Sequence, residues 1–365
     1  MPQVKLLVVD DSAFMRKAIE NMVKKDSDIV IVGTARNGVE AVQKVKDLKP
    51  DVMTLDIEMP QMDGLTALQK IMAENPLPVI MVSSLTTEGA DATLKALDLG
   101  AVDFIPKDKS FASFGVMKIE DQLIAKVKGF GAKKMFFRRP SISRPSVNTS
   151  GYTLGKPSPA APSTVTIPRP APRVTSKKKL VVIGTSTGGP QSLQKVIPML
   201  PADLGVPVLI VQHMPPNFTK SLAQRLDSLS KLTVVEAQGK EQLEPNHVYI
   251  AKGGTHMKIK RVGGHLYTDV GTEPSTTLHI PSVDVTAASV AEVCGKDALG
   301  VIMTGMGADG MKGLQLLKLK GGSVIAQDEP SCIVYGMPRA VIDAGYQDEV
   351  VPLTEIYQRI VAHVK

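Results

Sequence analysis

The sequence is poor in what several protein classes need. Trp is absent and aromatic residues make up 4% of 365 positions, so a stacking platform for single-stranded nucleic acid has few rings to build from. Only two cysteines occur, Cys294 and Cys332. They are too few for a disulfide framework or a cysteine zinc site, and they fit a reducing compartment. No run of ~18 apolar residues is present, which argues against a membrane-crossing helix. The opening MPQVKLLVVDD has too short an apolar stretch, ended by acids, to read as a secretory leader. The expected location is the cytoplasm, with no direct membrane insertion. What is present is ordinary globular composition, 43% hydrophobic and 22% charged, in a chain long enough for two domains.

The net charge of +7 is unevenly spread. Residues 1–121 hold 14 basic and 19 acidic side chains, residues 122–179 hold 13 basic and none acidic, and residues 180–365 hold 16 and 17. The basic excess therefore belongs to the middle. From Arg138 to Arg173 that middle is rich in Pro and Ser, which removes backbone donors and leaves no apolar periodicity, so it reads as a semi-extended tether. A docking role for this basic tract on an acidic surface is the alternative. The expected division is 1–125, a linker over 126–178, and 179–365.

In the first part, apolar segments at Lys5–Val9, Ile29–Ala35, Asp51–Ile57, Val79–Ser83 and Asp103–Ile105 alternate with helical spacing at Met15–Lys25, Val39–Leu48, Leu65–Glu74 and Ala90–Leu99. This pattern predicts a parallel sheet covered on both faces, with its site beyond the carboxyl ends of the strands. Asp10, Asp11, Asp56, Ser83 and Lys107 all fall at such ends. Any one acid there reads as a helix cap. Converging carboxylates repel unless a hard cation such as Mg²⁺ is held between them, and a carboxylate beside Mg²⁺ can accept a phosphoryl group. The set VVDDS, TLDIEMPQMDG, MVSS and DFIPK closely resembles the receiver domain of bacterial two-component response regulators. That resemblance implies a flavodoxin-like (βα)5 fold, Asp56 as phosphoacceptor, and Mg²⁺ at Asp10, Asp11 and Asp56. It also implies Ser83, Phe104 and Lys107 as switch residues. One departure stands out: Pro106 precedes Lys107 and Asp108 follows it, where receivers usually place Pro after the lysine.

In the second part, KLVVIGTSTGGPQSL runs from a buried strand through a glycine-rich turn into a helix. Gly184 to Gly188 fits G-x-S-x-G, a turn that exposes a serine oxygen; the Lys of a phosphate-binding P-loop is missing. A serine nucleophile needs a base and a group to orient it. His213 follows the apolar Val208–Val211, with His256 the runner-up, while His247, His265 and His279 sit in loop-like or strand-edge settings. Asp309 is the acid of the turn in MTGMGADG; it also suits the N-cap of a helix over Gly310–Leu319. The order Ser, His, Asp differs from that of α/β-hydrolases.

GTSTGGP, VQHMPPNFT, YIAKGGTHM and MTGMGADG together strongly resemble the catalytic domain of the chemotaxis protein-glutamate methylesterases, over about residues 179–365. The resemblance implies a doubly wound, mainly parallel α/β sandwich and a serine hydrolase with Ser186 as nucleophile, His213 as general base and acid, and Asp309 as orienting carboxylate. Backbone donors near Thr187 and Met306 are candidates for the oxyanion site. Also implied are glutamine deamidation, methyl-accepting chemotaxis receptors as substrate, a chemotaxis histidine kinase as phosphodonor and no cofactor for the ester chemistry. The expected state is a monomer that binds no nucleic acid. A receiver with a DNA-binding output is the rival class, but the second part is slightly acidic and shows no helix-turn-helix pattern. A receptor-array adaptor with a vestigial serine site is a third.

Overall fold

The computed structural model describes residues 3–107, 116–131 and 177–365. Most of the expected basic tether, residues 132–176, lies outside the described residues. The first sheet comprises β1 (Val4–Val9), β2 (Ile29–Ala35), β3 (Val52–Asp56), β4 (Val79–Ser84) and β5 (Asp103–Lys107). They pair in parallel in the order β2-β1-β3-β4-β5. Helices α1 (Ala13–Val23), α2 (Gly38–Leu48), α3 (Gly64–Glu74), α4 (Thr87–Asp98) and α5 (Val116–Gly131) cover both faces. Ser12, Asn37, Asp63 and Thr86 each accept a first-turn N–H of the helix that follows. Such caps are worth about 1 kcal/mol apiece and explain why the chain turns into a helix directly after a strand.

Helix α5 runs six residues past the expected boundary at 125. Val127 and Phe130 are fully buried against β1 and its neighbours, so the lysine-rich start of the expected linker is one face of a packed helix. Strand β5 likewise extends through Pro106 and Lys107. The cis peptide bonds among the described residues precede Pro274 and Pro281, so the bond before Pro106 is trans.

The second sheet has seven strands: β6 (Leu180–Thr185), β7 (Val208–Gln212), β8 (Thr233–Glu236), β9 (His247–Ile250), β12 (Ala298–Ile302), β13 (Ser323–Gln327) and β14 (Glu349–Val351). All pair in parallel in the order β14-β13-β12-β6-β7-β9-β8. An antiparallel hairpin of β10 (His256–Val262) and β11 (His265–Gly271) stands apart, turning on Gly263 and Gly264 at positive φ. Around the sheet lie α6 (Gly189–Val196), α7 (Phe218–Leu229), α8 (Val283–Cys294), α9 (Met311–Leu319), α10 (Met337–Asp343) and α11 (Leu353–Val364). The strand order reverses at β6, which lies between β12 and β7. That reversal opens a crevice beyond the strand ends, where open α/β sheets place their sites. Among the described residues no helix is long and apolar enough to cross a membrane.

Candidate active site

Register places the second domain's polar residues. Thr185 and Gln212 are partners at the ends of β6 and β7, so Ser186 and His213 leave neighbouring strand ends side by side. His213 N–H donates to Thr185 O at 3.2 Å, and Ser186 N–H to Thr304 O at 3.0 Å. Gln212, buried, ties the two turns together: its Oε1 accepts from Thr185 Oγ1 at 2.7 Å and its Nε2 donates to Ser186 O at 2.9 Å. Gly188 takes the left-handed region, φ 75°, which lets the chain enter α6 directly after Ser186. On the other side, a Cβ at Gly305 would lie 2.9 Å from Ser186 Cβ and 2.2 Å from Met337 Sδ. Only glycine lets the turn after β12 pass that close.

That turn brings Asp309 across to His213. His213 Nε2 and Asp309 Oδ2 are 2.7 Å apart, so Nε2–H donates and Nδ1 keeps its lone pair. Nδ1 is buried and has no hydrogen-bond partner among the described residues, so its lone pair is available to accept. The Ser186–His213 hydrogen bond is not formed in this conformation, a common looseness in substrate-free sites.

Asp309 is held from another direction than expected. It caps no bond of α9, whose N-cap is Gly310. Instead its carboxylate accepts from Ser282 Oγ (2.8 Å), Val283 N–H (2.7 Å) and Asp284 N–H (3.1 Å) at the start of α8. Asp284 returns the favour, accepting from Gly310 and Gly313 N–H at 2.9 and 2.8 Å. Burial pushes the Asp309 carboxyl up, but the hydrogen bonds from His213 and from the α8 amides outweigh it and hold the group well below the usual carboxylate range. The sequence pattern signalled a cap at Asp309, but not which helix it serves.

His256, the runner-up base, is elsewhere. It is fully buried; its Nε2 faces Pro274 O at 3.1 Å and its Nδ1 accepts from Ser282 N–H at 3.2 Å. Burial lowers its pKa, so it is a neutral brace for the 274–282 segment. That segment delivers His279, passed over as a loop residue in the sequence, onto the face of His213: ring centroids are 4.1 Å apart and 14° from parallel. Thr187, which follows Ser186, is buried, and Met306, which follows Gly305, is half-buried. The N–H groups of both make no hydrogen bond to protein among the described residues.

In the first domain, Asp10, Asp11 and Asp56 bring carboxylate oxygens within 4.8 Å of one another. Lys107 Nζ lies 2.7 Å from Asp56 Oδ2 and 3.0 Å from Asp10 Oδ2, so the Pro106 departure does not keep it from the acids. Burial, reinforced by the Asp10 charge, pushes Asp56 up to about 6 despite Lys107. Three hard oxygen donors whose negative charge Lys107 only partly offsets fit a divalent cation such as Mg²⁺. Ser83 Oγ donates to Gly89 O at 2.9 Å.

Phe104 faces the second domain. Its ring stacks on Phe218 of α7, centroids 4.7 Å apart and 2° from parallel. A cleft of about 360 Å³ is lined jointly by Phe104, Pro106 and Lys126 of the first domain and by Ser186, His213 and His279 of the second.

Residues 6–114 match the response regulator receiver domain, and residues 181–360 match the CheB methylesterase family. A protein-glutamate methylesterase/protein-glutamine glutaminase of Oleidesulfovibrio alaskensis is 47% identical over 98% of both chains. One from Pyrococcus horikoshii is 43% identical over all of this chain and 94% of its own. The chain belongs to the CheB methylesterase family. Its organisation, receiver ahead of esterase, is that of a protein-glutamate methylesterase/protein-glutamine glutaminase. The CheB methylesterase catalytic domain of Thermotoga maritima is 46% identical and superimposes with a TM-score of 0.50, covering 51% of this chain and 98% of its own.

Proposed function

We propose that the chain is a phosphorylation-activated serine hydrolase that removes methyl groups from glutamyl esters of chemotaxis receptors, and deamidates their glutamines, to reset sensory adaptation. The observation that carries the reading is the convergence of Ser186, His213 and Asp309 at the point where the strand order reverses. His213 Nδ1 would take the proton of Ser186 Oγ as that oxygen attacks the ester carbonyl. The negative oxygen of the tetrahedral adduct would be met by the N–H groups of Thr187 and Met306; donors of this kind are worth about 10²–10³ in rate. His213 then returns the proton to the departing methoxy oxygen, and methanol leaves. Water, deprotonated by the same nitrogen, attacks the acyl-serine carbonyl; as the acyl–oxygen bond breaks, His213 gives that proton to Ser186 Oγ, and the released acid ionises to the carboxylate in solvent. An amide would follow the same course with ammonia as leaving group. Asp309 keeps His213 in the one tautomer and stabilises the imidazolium.

In the receiver, Asp56 would attack the phosphorus of a histidine kinase's phosphohistidine, with the bond to the kinase nitrogen breaking. Asp10, Asp11 and Asp56 would hold Mg²⁺, which when bound neutralises charge on the phosphoryl oxygens. Lys107 and Ser83 would contact those oxygens, and Lys107 shares β5 with Phe104. Phosphorylation adds about 1.5–2 negative charges and, through β5, would loosen the Phe104–Phe218 stack that closes the cleft. The deciding measurement is methanol release from methylated receptors with and without a small phosphodonor. Ser186→Ala should abolish release while leaving Asp56 phosphorylation intact. Asp56→Asn should keep basal release and lose activation; unimpaired activation in that variant would refute the gate.

A further inference from the structure

The hydrogen bond to Asp309 fixes one atom of the His213 ring, and one hydrogen bond is a hinge. With a single hydrogen bond at Nε2, the ring can still rock about its Cβ–Cγ bond and swing Nδ1 away from Ser186. A second constraint is therefore needed, and the 274–282 segment supplies it. Resting on the serine-hydrolase reading above, we infer that His279 is a positioning residue: its imidazole is the plate that stops His213 from pivoting and keeps Nδ1 aimed at Ser186.

The plate lies almost flat on His213, at 4.1 Å and 14°, and the loop that bears it is fixed along its length. His256 Nε2 faces Pro274 O at 3.1 Å and Thr277 Oγ1 at 3.2 Å. Thr277 Oγ1 donates to His279 O at 2.9 Å. Gly254 N–H donates to Ile280 O at 3.3 Å. Ser282 N–H donates to His256 Nδ1, and Ser282 Oγ to Asp309 Oδ1. The segment that carries the plate thus ends on the carboxylate that holds the other side of the same ring. Its next-door residue, Leu278, is 70% exposed. A surface loop anchored this heavily serves more than its own burial. An aromatic face also suits the imidazolium that His213 becomes during reaction, through attraction of the cation to the ring.

The role assigned is planar contact, not proton transfer, and the variants separate the two. In the full chain with phosphodonor present, His279→Ala should lower kcat for methanol release by about 10–100-fold with KM changed less than about twofold, since small misplacements of a reacting group cost rates of that order. His279→Phe should recover to within about threefold of the parent. The rate at which a fluorophosphonate labels Ser186, which needs no receptor docking, should fall and recover in parallel. The low-field proton resonance of the His213–Asp309 hydrogen bond should broaden in the alanine variant and sharpen again with Phe. An unchanged kcat in His279→Ala would overturn the inference, as would a change confined to KM. A His279→Phe variant as slow as alanine would also overturn it, because the ring nitrogens would then be what matters. Hydrolysis surviving Ser186→Ala would instead sink the serine reading itself, so the two failures are distinguishable.

Discussion

Asp309 shows how much one side chain is asked to do. It accepts from His213 and at the same time satisfies two amides at the start of α8. Asp309→Asn should keep most of the capping but leave His213 in the wrong tautomer, lowering kcat by about 10⁴ with the thermal midpoint nearly unchanged. Asp309→Ala should cost a further 1–2 kcal/mol or so of stability through the uncapped helix; methanol release and calorimetry on both variants test the split. Asp56 makes the opposite kind of prediction. Burial raises its carboxyl to about 6 in the folded receiver, against ~3.9 when unfolded. A carboxyl raised on folding costs stability above pH 6 and regains it as the pH falls from 6 towards 4. Without Mg²⁺, Asp56→Asn should therefore stabilise the receiver by about 1–3 kcal/mol at pH 7.5 and hardly at all at pH 4. A gain independent of pH would contradict the cause given.

At the scale of elements, β14 and α11 are joined by a buried ion cluster. Glu349 accepts from Arg359 Nη2 and His363 Nε2, each at 2.8 Å. Burial raises the Glu349 carboxyl, but these partners more than offset that and hold it at about 2. A carboxyl depressed on folding contributes stability above its unfolded value of ~4.3, lost as the pH falls from there through 2. Glu349→Gln should lower the unfolding free energy read from urea denaturation at pH 7 by about 2–4 kcal/mol, because Arg359 loses its counter-charge. The gap between parent and variant should begin to close near pH 5 and be gone only below about pH 2. A gap that stayed constant over that range would show that packing, not charge, joins β14 to α11. Helix α5 teaches the complementary lesson: Val127 and Phe130, spaced i and i+3, anchor a segment that the expected linker over 126–178 includes.

At the scale of the molecule, the receiver lies against the esterase cleft. A hydrophobic cluster runs from Leu94, Leu97 and Phe104 into Leu193 and Phe218. Polar contacts frame it: Arg225 to Asp98 at 2.8 Å, Gln191 Nε2 to Leu97 O at 3.0 Å, and Asn217 Nδ2 to Leu85 O at 2.9 Å. If this docking holds the cleft shut, weakening it should raise activity without phosphodonor. An exposed ion pair is worth about 0–1 kcal/mol, so Arg225→Ala should raise basal methanol release by no more than about fivefold. Phe104→Ala loses a stacked ring pair, about 0.5–1.5 kcal/mol beyond its buried area, and should raise it more, to about tenfold. Both variants should converge on the parent rate once phosphodonor is added. Basal rates that stayed at the parent value would mean the observed docking does not limit access.

The sequence alone determined the first sheet and three strands of the second, because strands buried on both faces read as short apolar runs; Asp10, Ser186 and His213 directly follow such strands and Asp56 closes one. Strand ends are local features, so spacing reveals them. Tertiary structure decided the rest. That Asp309 is held by α8 and Asp284 by α9 depends on two helices packing closely, with Gly313 leaving room against Asp284. That His279 covers His213 depends on a loop braced by His256, and no local pattern distinguishes such a histidine from one in solvent. The docking of Phe104 on Phe218 joins residues 114 positions apart. Local propensity encodes where a strand stops and a helix starts. Which distant side chains then meet is set by packing of whole elements, where the energy is shared over many contacts and no single motif records it.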